Sequence, residues 1–352
     1  MSMLVLDPKI TRLPAVTQTN AWYSVVWSPS GAYVAGVQDM KIISCWRGDG
    51  SLLWTQDYSR ESVQDCVFAG DDTLYVRSIG YFRDGTRRVR IRRCMVPDRR
   101  GRNAMVCSRP VSRLGSMAAT RDGALLYAEW LGSGLSWHRY SQSCSHPHQS
   151  VIREIASCAD TLHFSRDGRW LWEVQQSSIQ VTCMVTNDTA CVANCGASIL
   201  AVDVADESHR IAVVHRNGRI AVFAHERDPR NGVLRVVRDR PDRRWCRSMR
   251  HAAVIWGPGD HLFLLIGQEH RLLLVDADAP DELTVMAEIP QVRQVATISP
   301  DPHARRVFVL GSLSTPSASR RREYDYGSAL LDFGSPYLGL VAPVHWADAS
   351  FG

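Results

Sequence analysis

One stretch of the sequence decides the fold: residues 25–36, which read VVWSPSGAYVAG. Two short apolar runs rich in β-branched and aromatic residues flank SPSG, a set of residues typical of a tight turn. A third run follows at residues 41–46, and a Gly-Asp-Gly turn leads into a fourth at residues 51–54. Apolar runs of this length, separated by turn residues, predict a set of β-strands joined by short turns.

The same pattern of strand, polar turn and strand returns six more times along the chain. The equivalent turn positions are Ser28, Ala69, Thr120, Ser165, Val204, Gly257 and Ser299. They lie 39 to 53 residues apart, and a four-stranded propeller blade takes about 40–45 residues. A lone sheet exposes its apolar faces, whereas blades set in a ring bury them against each other. The sequence therefore predicts an all-β chain, a seven-bladed β-propeller of four-stranded antiparallel blades.

We expect residues 1–352 to form a single propeller domain. The predicted blades span approximately residues 20–60, 61–110, 111–155, 156–195, 196–240, 248–290 and 291–345. A terminal strand has to close the ring, and two segments are candidates: residues 3–6 (MLVL), within residues 1–14, and residues 337–341 (YLGLV). The rival architecture is a pair of smaller β domains that divide near residues 228–232.

Over nearly its whole length the chain resembles the WD-repeat family. The resemblance rests on the turn sequence Ser-x-Asp-Gly, as at Ser165-Arg166-Asp167-Gly168. The family's Trp-Asp and Gly-His pairs are absent, so the chain resembles a degenerate member. The resemblance implies a rigid ring that serves as a binding platform and not as an enzyme.

The sequence shows no sign of secretion, membrane insertion or catalysis. No run approaches the ~20 apolar residues of a membrane helix, and the ten cysteines are irregularly scattered. We therefore expect no membrane association and a reduced setting, cytoplasmic or nuclear. Motifs of serine hydrolases, phosphate-binding loops and zinc proteases are absent. We predict no catalytic residues and no cofactor. An enzyme with its active site in the central channel is a third hypothesis.

Positive charge is concentrated in two segments. The chain has 39 Arg, two Lys and a net charge of +5. Residues 83–113 contain eleven Arg against two Asp, and residues 216–250 contain eleven Arg against four acidic residues. Both segments fall in the two longest intervals between repeats, so we interpret them as insertions.

The first segment predicts a strand with guanidiniums on one face. In RRVRIRRCM (residues 87–95), alternation places Arg88, Arg90 and Arg92 opposite Val89 and Ile91. DRRGR (residues 98–102) then predicts a hairpin tip that carries Arg99, Arg100 and Arg102. Because arginine makes bidentate contacts with carboxylates and phosphates, these residues are candidates for docking an acidic protein or a nucleic-acid backbone. The alternative is a solvated edge, or pairing with acidic residues of a neighbouring blade.

The second segment places Arg243 and Arg244 beside Trp245. The indole ring is a candidate for stacking on a base or inserting into a partner's groove. The alternative, which we favour for Trp245, is an apolar anchor that ties a long connector to the blade beneath.

Two groups of cysteine and histidine contain atoms that bind zinc. They are Cys144, His146, His148 and Cys158, and Cys191 with Cys195. Their spacing matches no standard ligand pattern, so we predict polar connecting loops and no metal site.

The leading hypothesis for function is a non-enzymatic scaffold or adaptor subunit of an intracellular multiprotein complex. Its partners would be other proteins with acidic surfaces, bound through the propeller rims and the Arg-rich insertions. The alternative is a propeller that binds RNA or DNA directly, as a ribonucleoprotein component.

Overall fold

The structure is a computed structural model, and it describes the following segments of the chain. They are residues 9–13, 22–81, 85–96, 104–110, 113–120, 123–131, 134–140, 148–151, 161–165, 168–186, 189–194, 198–205, 210–215, 220–224, 235–240, 252–256, 261–266, 271–276, 283–288, 292–303, 305–313 and 325–333. Within them, no helix is long and apolar enough to cross a membrane.

The described backbone is built of β-strands in four-stranded antiparallel sheets, and each sheet is one blade. The chain begins with β1 (Lys9–Leu13). The first blade contains β2 (Trp22–Trp27), β3 (Tyr33–Gln38), β4 (Ile42–Arg47) and β5 (Leu52–Asp57). The second contains β6 (Glu61–Phe68), β7 (Thr73–Tyr81), β8 (Arg87–Met95) and β9 (Ala104–Pro110). The third contains β10 (Arg113–Ala119), β11 (Leu125–Leu131), β12 (Gly134–Tyr140) and β13 (His148–Val151).

The second half of the chain repeats this arrangement. The fourth blade contains β14 (Thr161–Phe164), β15 (Trp170–Val174), β16 (Ser178–Cys183) and β17 (Thr189–Asn194). The fifth contains β18 (Ile199–Val204), β19 (Arg210–His215), β20 (Ile220–Ala224) and β21 (Arg235–Arg240). The sixth contains β22 (Ala252–Trp256), β23 (His261–Ile266), β24 (Arg271–Asp276) and β25 (Leu283–Glu288). The last contains β26 (Val292–Pro300), β27 (Arg306–Leu313) and β28 (Asp325–Asp332), with β1 as its fourth strand.

The first strands of the blades form a closed inner ring. Strand β2 contacts β6, and contacts continue in order through β10, β14, β18, β22 and β26, which returns to β2. Each blade thus packs against two neighbours, and the predicted all-β propeller is confirmed. The rival division near residues 228–232 is wrong, because these residues lie between β20 and β21, which pair in one sheet.

The ring is closed by a strand from the N-terminal side of the chain. Strand β1 pairs antiparallel with β28 over five residues, from Lys9 opposite Asp332 to Leu13 opposite Ser328. It completes the last blade in the order β1-β28-β27-β26. The candidate segments at residues 3–6 and 337–341 both lie outside the described residues.

The repeated turn between the first two strands of a blade is held by a side-chain oxygen. The Ser28 hydroxyl accepts a hydrogen bond from the Tyr33 amide at 3.1 Å, and Ser165 does the same for the Trp170 amide at 3.0 Å. Thr120 accepts one from the Ala124 amide at 3.0 Å. These bonds satisfy backbone N–H groups that have no partner in the sheet at the turn. They explain why a hydroxyl residue begins the Ser-x-Asp-Gly turn.

Two of the predicted turn positions are displaced along the chain. In the fifth blade the turn residue is Ala205, whose amide donates to the Arg210 carbonyl, and Val204 ends β18. In the last blade it is Asp301, whose carboxylate accepts from the Arg306 amide at 2.9 Å, and Ser299 lies within β26. The Asp301 carboxylate accepts the hydrogen bond that a Ser or Thr hydroxyl accepts in other blades. Because the residue type differs, the sequence pattern did not identify this turn position.

Indole side chains tie neighbouring blades together at the ends of their first strands. Trp27 of the first blade donates from Nε1 to the Ser299 carbonyl of the last blade at 2.8 Å. Trp256 of the sixth blade donates from Nε1 to the Asp203 carbonyl of the fifth at 3.0 Å. Between these ties the blades bury apolar side chains, such as Trp46 against Phe308 with ring centroids 5.7 Å apart. The ring is therefore held by polar ties as well as by apolar packing.

Candidate functional site

The structure places the first basic segment in the body of a blade. Residues 87–95 form β8 and residues 104–110 form β9, the third and fourth strands of the second blade. Residues 235–240 of the second segment likewise form β21 of the fifth blade. The interpretation of these segments as insertions is therefore wrong for the strand residues. The interval between the turn positions Ala69 and Thr120 is long partly because β7 and β8 each extend over nine residues.

Of the predicted site residues, the structure describes those on β8. Arg88, Arg90 and Arg92 are half-buried on one face, while Val89 and Ile91 are buried on the other, as the alternation predicts. The remaining predicted residues lie outside the described residues: Arg99, Arg100, Arg102, Arg243, Arg244 and Trp245.

Glu61 of β6 binds two of the predicted arginines. Its carboxylate forms ion pairs with the guanidiniums of Arg90 and Arg92. Arg92 is bidentate, with Nη2 donating to Glu61 Oε1 at 2.5 Å, and Ser78 Oγ donates to Glu61 Oε2 at 2.6 Å. We call these four residues the Glu61 cluster. A single carboxylate on the first strand of the same blade thus neutralises part of the arginine row, whereas the sequence suggested acidic residues of a neighbouring blade.

A glycine makes the Glu61 cluster possible. Glu61 is paired in register with Gly80 of β7, which in turn is paired with Arg88 of β8. A Cβ atom on Gly80 would lie 3.1 Å from Glu61 Cγ, closer than ordinary van der Waals contact. Because Gly80 has no side chain, Glu61 can lie across β7 and reach β8. On the side of the first blade, the Arg92 guanidinium carbon lies 5.5 Å from the centroid of the Tyr58 ring.

The cluster keeps Glu61 ionised. Burial by itself would raise the pKa of Glu61, but hydrogen bonds from Arg92 and Ser78 and the charge of Arg92 outweigh it and lower the pKa to about 2. A carboxylate that accepts several hydrogen bonds from cations is stabilised in its charged form. Arg90 and Arg92 therefore hold the second blade together, and their contribution to any docking surface is limited to their residual positive charge.

A second ion pair lies on the opposite face of the second blade. Arg77 Nη2 is 2.7 Å from Asp65 Oδ2. Burial raises the pKa of Asp65, and the nearby charge of Arg77 opposes this increase. Asp65, Arg77 and Glu61 were not predicted as partners, because each pairing crosses between strands and depends on register. The sequence indicated only that the row of arginines on β8 could pair with acidic residues, and it did not identify which ones.

The described residues offer no metal centre. Within them, no group of three or more His, Cys, Asp or Glu side chains is arranged to hold a metal ion. Of the predicted candidates, His148 begins β13 and Cys191 lies in β17, whereas Cys144, His146, Cys158 and Cys195 lie outside the described residues.

Three cysteine thiols that form no disulfide among the described residues are buried between the first and second blades: Cys45, Cys66 and Cys94. Burial raises the pKa of Cys45 to about 12 and that of Cys94 to about 11. The thiolate is the reactive form of cysteine, so these protonated thiols are inert packing groups.

The comparisons with known proteins support the fold. The chain is similar to the crystal structure of the β-propeller domain of Cps50 (Swd1) from Myceliophteria thermophila, with a TM-score of 0.66 and 10% sequence identity. The similarity covers 93% of this chain and 99% of that domain. Neither a family model nor a curated protein sequence matches the chain. At this level of identity the likeness shows the β-propeller fold and nothing further.

Proposed function

We propose that this β-propeller is a degenerate WD-repeat protein that acts as a non-enzymatic scaffold or adaptor in an intracellular multiprotein complex. A closed ring of packed blades is a rigid body whose rims present separate surfaces to separate partners. The observation that carries the proposal is the uneven charge of the second blade. Arg60 and Arg87 are exposed on this blade, and Glu61 forms ion pairs with Arg90 and Arg92.

The proposed partners are proteins with acidic surfaces. Arginine is enriched at protein interfaces because its planar guanidinium binds carboxylates through two hydrogen bonds. We propose Arg88, together with Arg99, Arg100 and Arg102 of the hairpin tip that the sequence predicts, as docking residues. Arg243, Arg244 and Trp245 are proposed as a second docking segment.

Purification of the tagged full-length chain from its native cell, with and without nuclease, tests this function by mass spectrometry. We expect a constant set of protein partners that resists nuclease treatment. Partners that vanish with nuclease would overturn the proposal in favour of direct binding of RNA or DNA. In that case the affinity for a nucleic acid would also fall linearly with salt concentration on logarithmic axes.

A variant tests the docking residues separately from the fold. Replacing Arg99, Arg100 and Arg102 with Glu should remove at least one nuclease-resistant partner while the thermal midpoint stays nearly unchanged. Unfolding of this variant would instead assign these residues a structural role. Retention of every partner in a folded variant would remove the hairpin tip from the proposed surface.

A further inference from the structure

The connection between β7 and β8 is flanked by two exposed residues, one aromatic and one positively charged. Tyr81, the last residue of β7, is 74% exposed and is paired in register with Arg87, the first residue of β8. Arg60 lies in the turn that leads into β6 and directly precedes Glu61, the register partner of Gly80, so Arg60 is at the same end of the blade as Tyr81. Arg60 and Arg87 are both exposed. We call Arg60, Tyr81 and Arg87 the hairpin rim.

Tyr81 and Arg87 share one face of the second blade, because they are paired in register. Alternation along β7 and β8 places them opposite the face that carries the Glu61 cluster, and Arg60 is exposed in the turn at the same end of the blade. One step inward on the rim's own face, Ile79 and Val89 are buried. The rim is therefore the exposed continuation of a packed row of side chains, and its backbone is held by the ladder between β7 and β8.

The charge of the rim is not balanced by the described residues around it. Within the described part of the chain, neither Arg60 nor Arg87 forms an ion pair. Glu61, the acidic residue nearest to Arg60 in sequence, is bound to Arg90 and Arg92 on the opposite face. Asp57 of the first blade is exposed and likewise forms no ion pair with the rim. Two guanidiniums that form no ion pair with the described residues thus lie near an exposed aromatic ring.

We infer that the hairpin rim is a docking site for an extended acidic protein segment in which two carboxylates flank an apolar side chain. Adjacent antiparallel strands lie about 5 Å apart, so Glu61 and Arg88, the chain neighbours of Arg60 and Arg87, are roughly 10 Å apart across β7. Long arginine side chains can then reach carboxylates at positions i and i+4 of an extended segment, which are about 13 Å apart. The apolar side chain at i+2 would pack on Tyr81. The inference rests on the proposed scaffold function and deepens it by naming the class of partner.

The arrangement favours an acidic protein segment over a nucleic-acid strand. Phosphates repeat along a strand and are bound best by a continuous row of cations. Among the described residues the rim presents two exposed cations, because Arg90 and Arg92 are bound to Glu61 on the opposite face. Arg77, further along β7, is bound to Asp65. Tyrosine and arginine together form the kind of small anchor that dominates protein–protein interfaces.

Fluorescence anisotropy with a defined peptide tests the inference on the full chain at low salt. The probe is a fluorescein-labelled peptide of sequence Gly-Ser-Glu-Ser-Leu-Ser-Glu-Ser-Gly, and its partner peptide has Gln in place of both Glu. We expect saturable binding of the acidic peptide only. The double variant Arg60→Glu/Arg87→Glu should weaken it by about tenfold or more, since two attractive contacts become repulsive. Tyr81→Ser should weaken it by about threefold to tenfold.

Matched variants control for charge and for exposed apolar area. Lys41→Glu/Arg47→Glu reverses two exposed cations of the first blade, and Val185→Ser removes an apolar side chain that is 75% exposed. Both should bind the probe like the unmodified chain. Equal losses in rim and control variants, or no binding of the probe to the unmodified chain, would overturn the inference. Complete competition by single-stranded oligothymidine would reassign the rim to nucleic acid.

The outcome can be separated from that of the scaffold proposal. Suppose that the folded Arg60→Glu/Arg87→Glu variant still binds the acidic peptide and that the native partners resist nuclease. This result would reject the hairpin rim as the docking site and support the scaffold proposal. Rim-dependent peptide binding by a chain without nuclease-resistant partners would reject the scaffold and keep the rim's affinity for acidic segments. Thermal melting of each variant confirms that binding is compared between folded proteins.

Discussion

At the scale of single residues, Glu61 resolves an electrostatic conflict within the second blade. Strand β8 carries Arg88, Arg90 and Arg92 on one face, and like charges at strand spacing repel each other in a partly buried site. The Glu61 carboxylate binds two of them and remains ionised. Its side chain is only 9% exposed, so its removal would leave two arginines without their anion in a site of limited access to water.

We predict that Glu61→Gln lowers the free energy of unfolding by about 2–3 kcal/mol, because breaking a buried ion pair leaves uncompensated charge. Urea denaturation followed by tryptophan fluorescence measures this value. Asp57→Asn removes an exposed carboxylate nearby and should change stability by less than about 0.5 kcal/mol. Equal stability of the two variants would show that the Glu61 cluster contributes nothing.

His163 on β14 makes stability depend on pH. Burial lowers the pKa of His163 to about 4, and its Nε2 atom is buried without a hydrogen-bond partner among the described residues. As the pH falls from about 6.5 to about 4, the unfolded chain takes up a proton that the folded chain refuses. The folded state therefore loses stability across this window, at up to about 1.4 kcal/mol per pH unit.

The variant His163→Leu isolates this contribution. Urea midpoints measured between pH 7 and pH 4 should fall less steeply than those of the unmodified chain, while stability at pH 7 should not decrease by more than about 1 kcal/mol. The same slope in both proteins would mean that His163 binds its proton equally in the folded and unfolded states.

At the scale of elements, the turn between the first two strands of a blade is a point of contact between blades. Gly168 of the fourth blade has φ of +69°, which L side chains rarely adopt. A Cβ atom there would lie 3.2 Å from Thr120 Cγ2 and 3.3 Å from Leu126 Cδ1, both in the third blade. The glycine thus serves the turn and the close approach of the neighbouring blade.

We predict that Gly168→Ala costs about 2–3 kcal/mol, from backbone strain and from the displaced side chains. Gly85→Ala provides the control, because Gly85 has a similar φ of +77° and a Cβ atom there would meet no atom of the described residues within 4 Å. It should cost only the backbone strain, about 1 kcal/mol. The difference between the two urea midpoints measures the contact between the third and fourth blades, and equal midpoints would refute it.

At the scale of the whole molecule, one short strand joins the two ends of the described chain. Strand β1 is separated from β28 by nearly the full sequence, yet it forms the outer strand of the last blade. The first strand of that blade, β26, contacts β2 of the first blade. The last blade is therefore complete only when both ends of the chain have been brought together.

Deletion of residues 1–13 should lower the free energy of unfolding by roughly 3–5 kcal/mol, given about 1 kcal/mol for each lost ladder hydrogen bond. It should also expose the edge of β28 and favour association between chains, because an unpaired edge is a template for another strand. Urea denaturation and size-exclusion chromatography measure the two effects. Unchanged stability of a monomeric deletion variant would show that β1 is dispensable for closure.

Much of the fold follows from local sequence. Alternating apolar runs and turn residues repeat along the chain, and each unit needs a neighbour to bury its second face, so a ring of sheets is predictable without any long-range information. The alternation in β8 likewise predicts which residues are buried, since strand periodicity is a local property. The displaced turn positions in the fifth and last blades show the limit, because Ala205 and Asp301 lack the hydroxyl group found at Ser28, Thr120 and Ser165.

By itself, the sequence determined that the chain forms antiparallel blades and that the repeated units are numerous enough to form a ring. It also determined that arginine is concentrated on particular strands. The tertiary structure alone decided that Glu61 neutralises Arg90 and Arg92, that Arg60 and Arg87 form no ion pair within the described part of the chain, and that β1 closes the last blade. The physical reason is that a residue's secondary structure depends on its neighbours in sequence. Its charge partner depends on strand register, which brings together residues that are far apart along the chain.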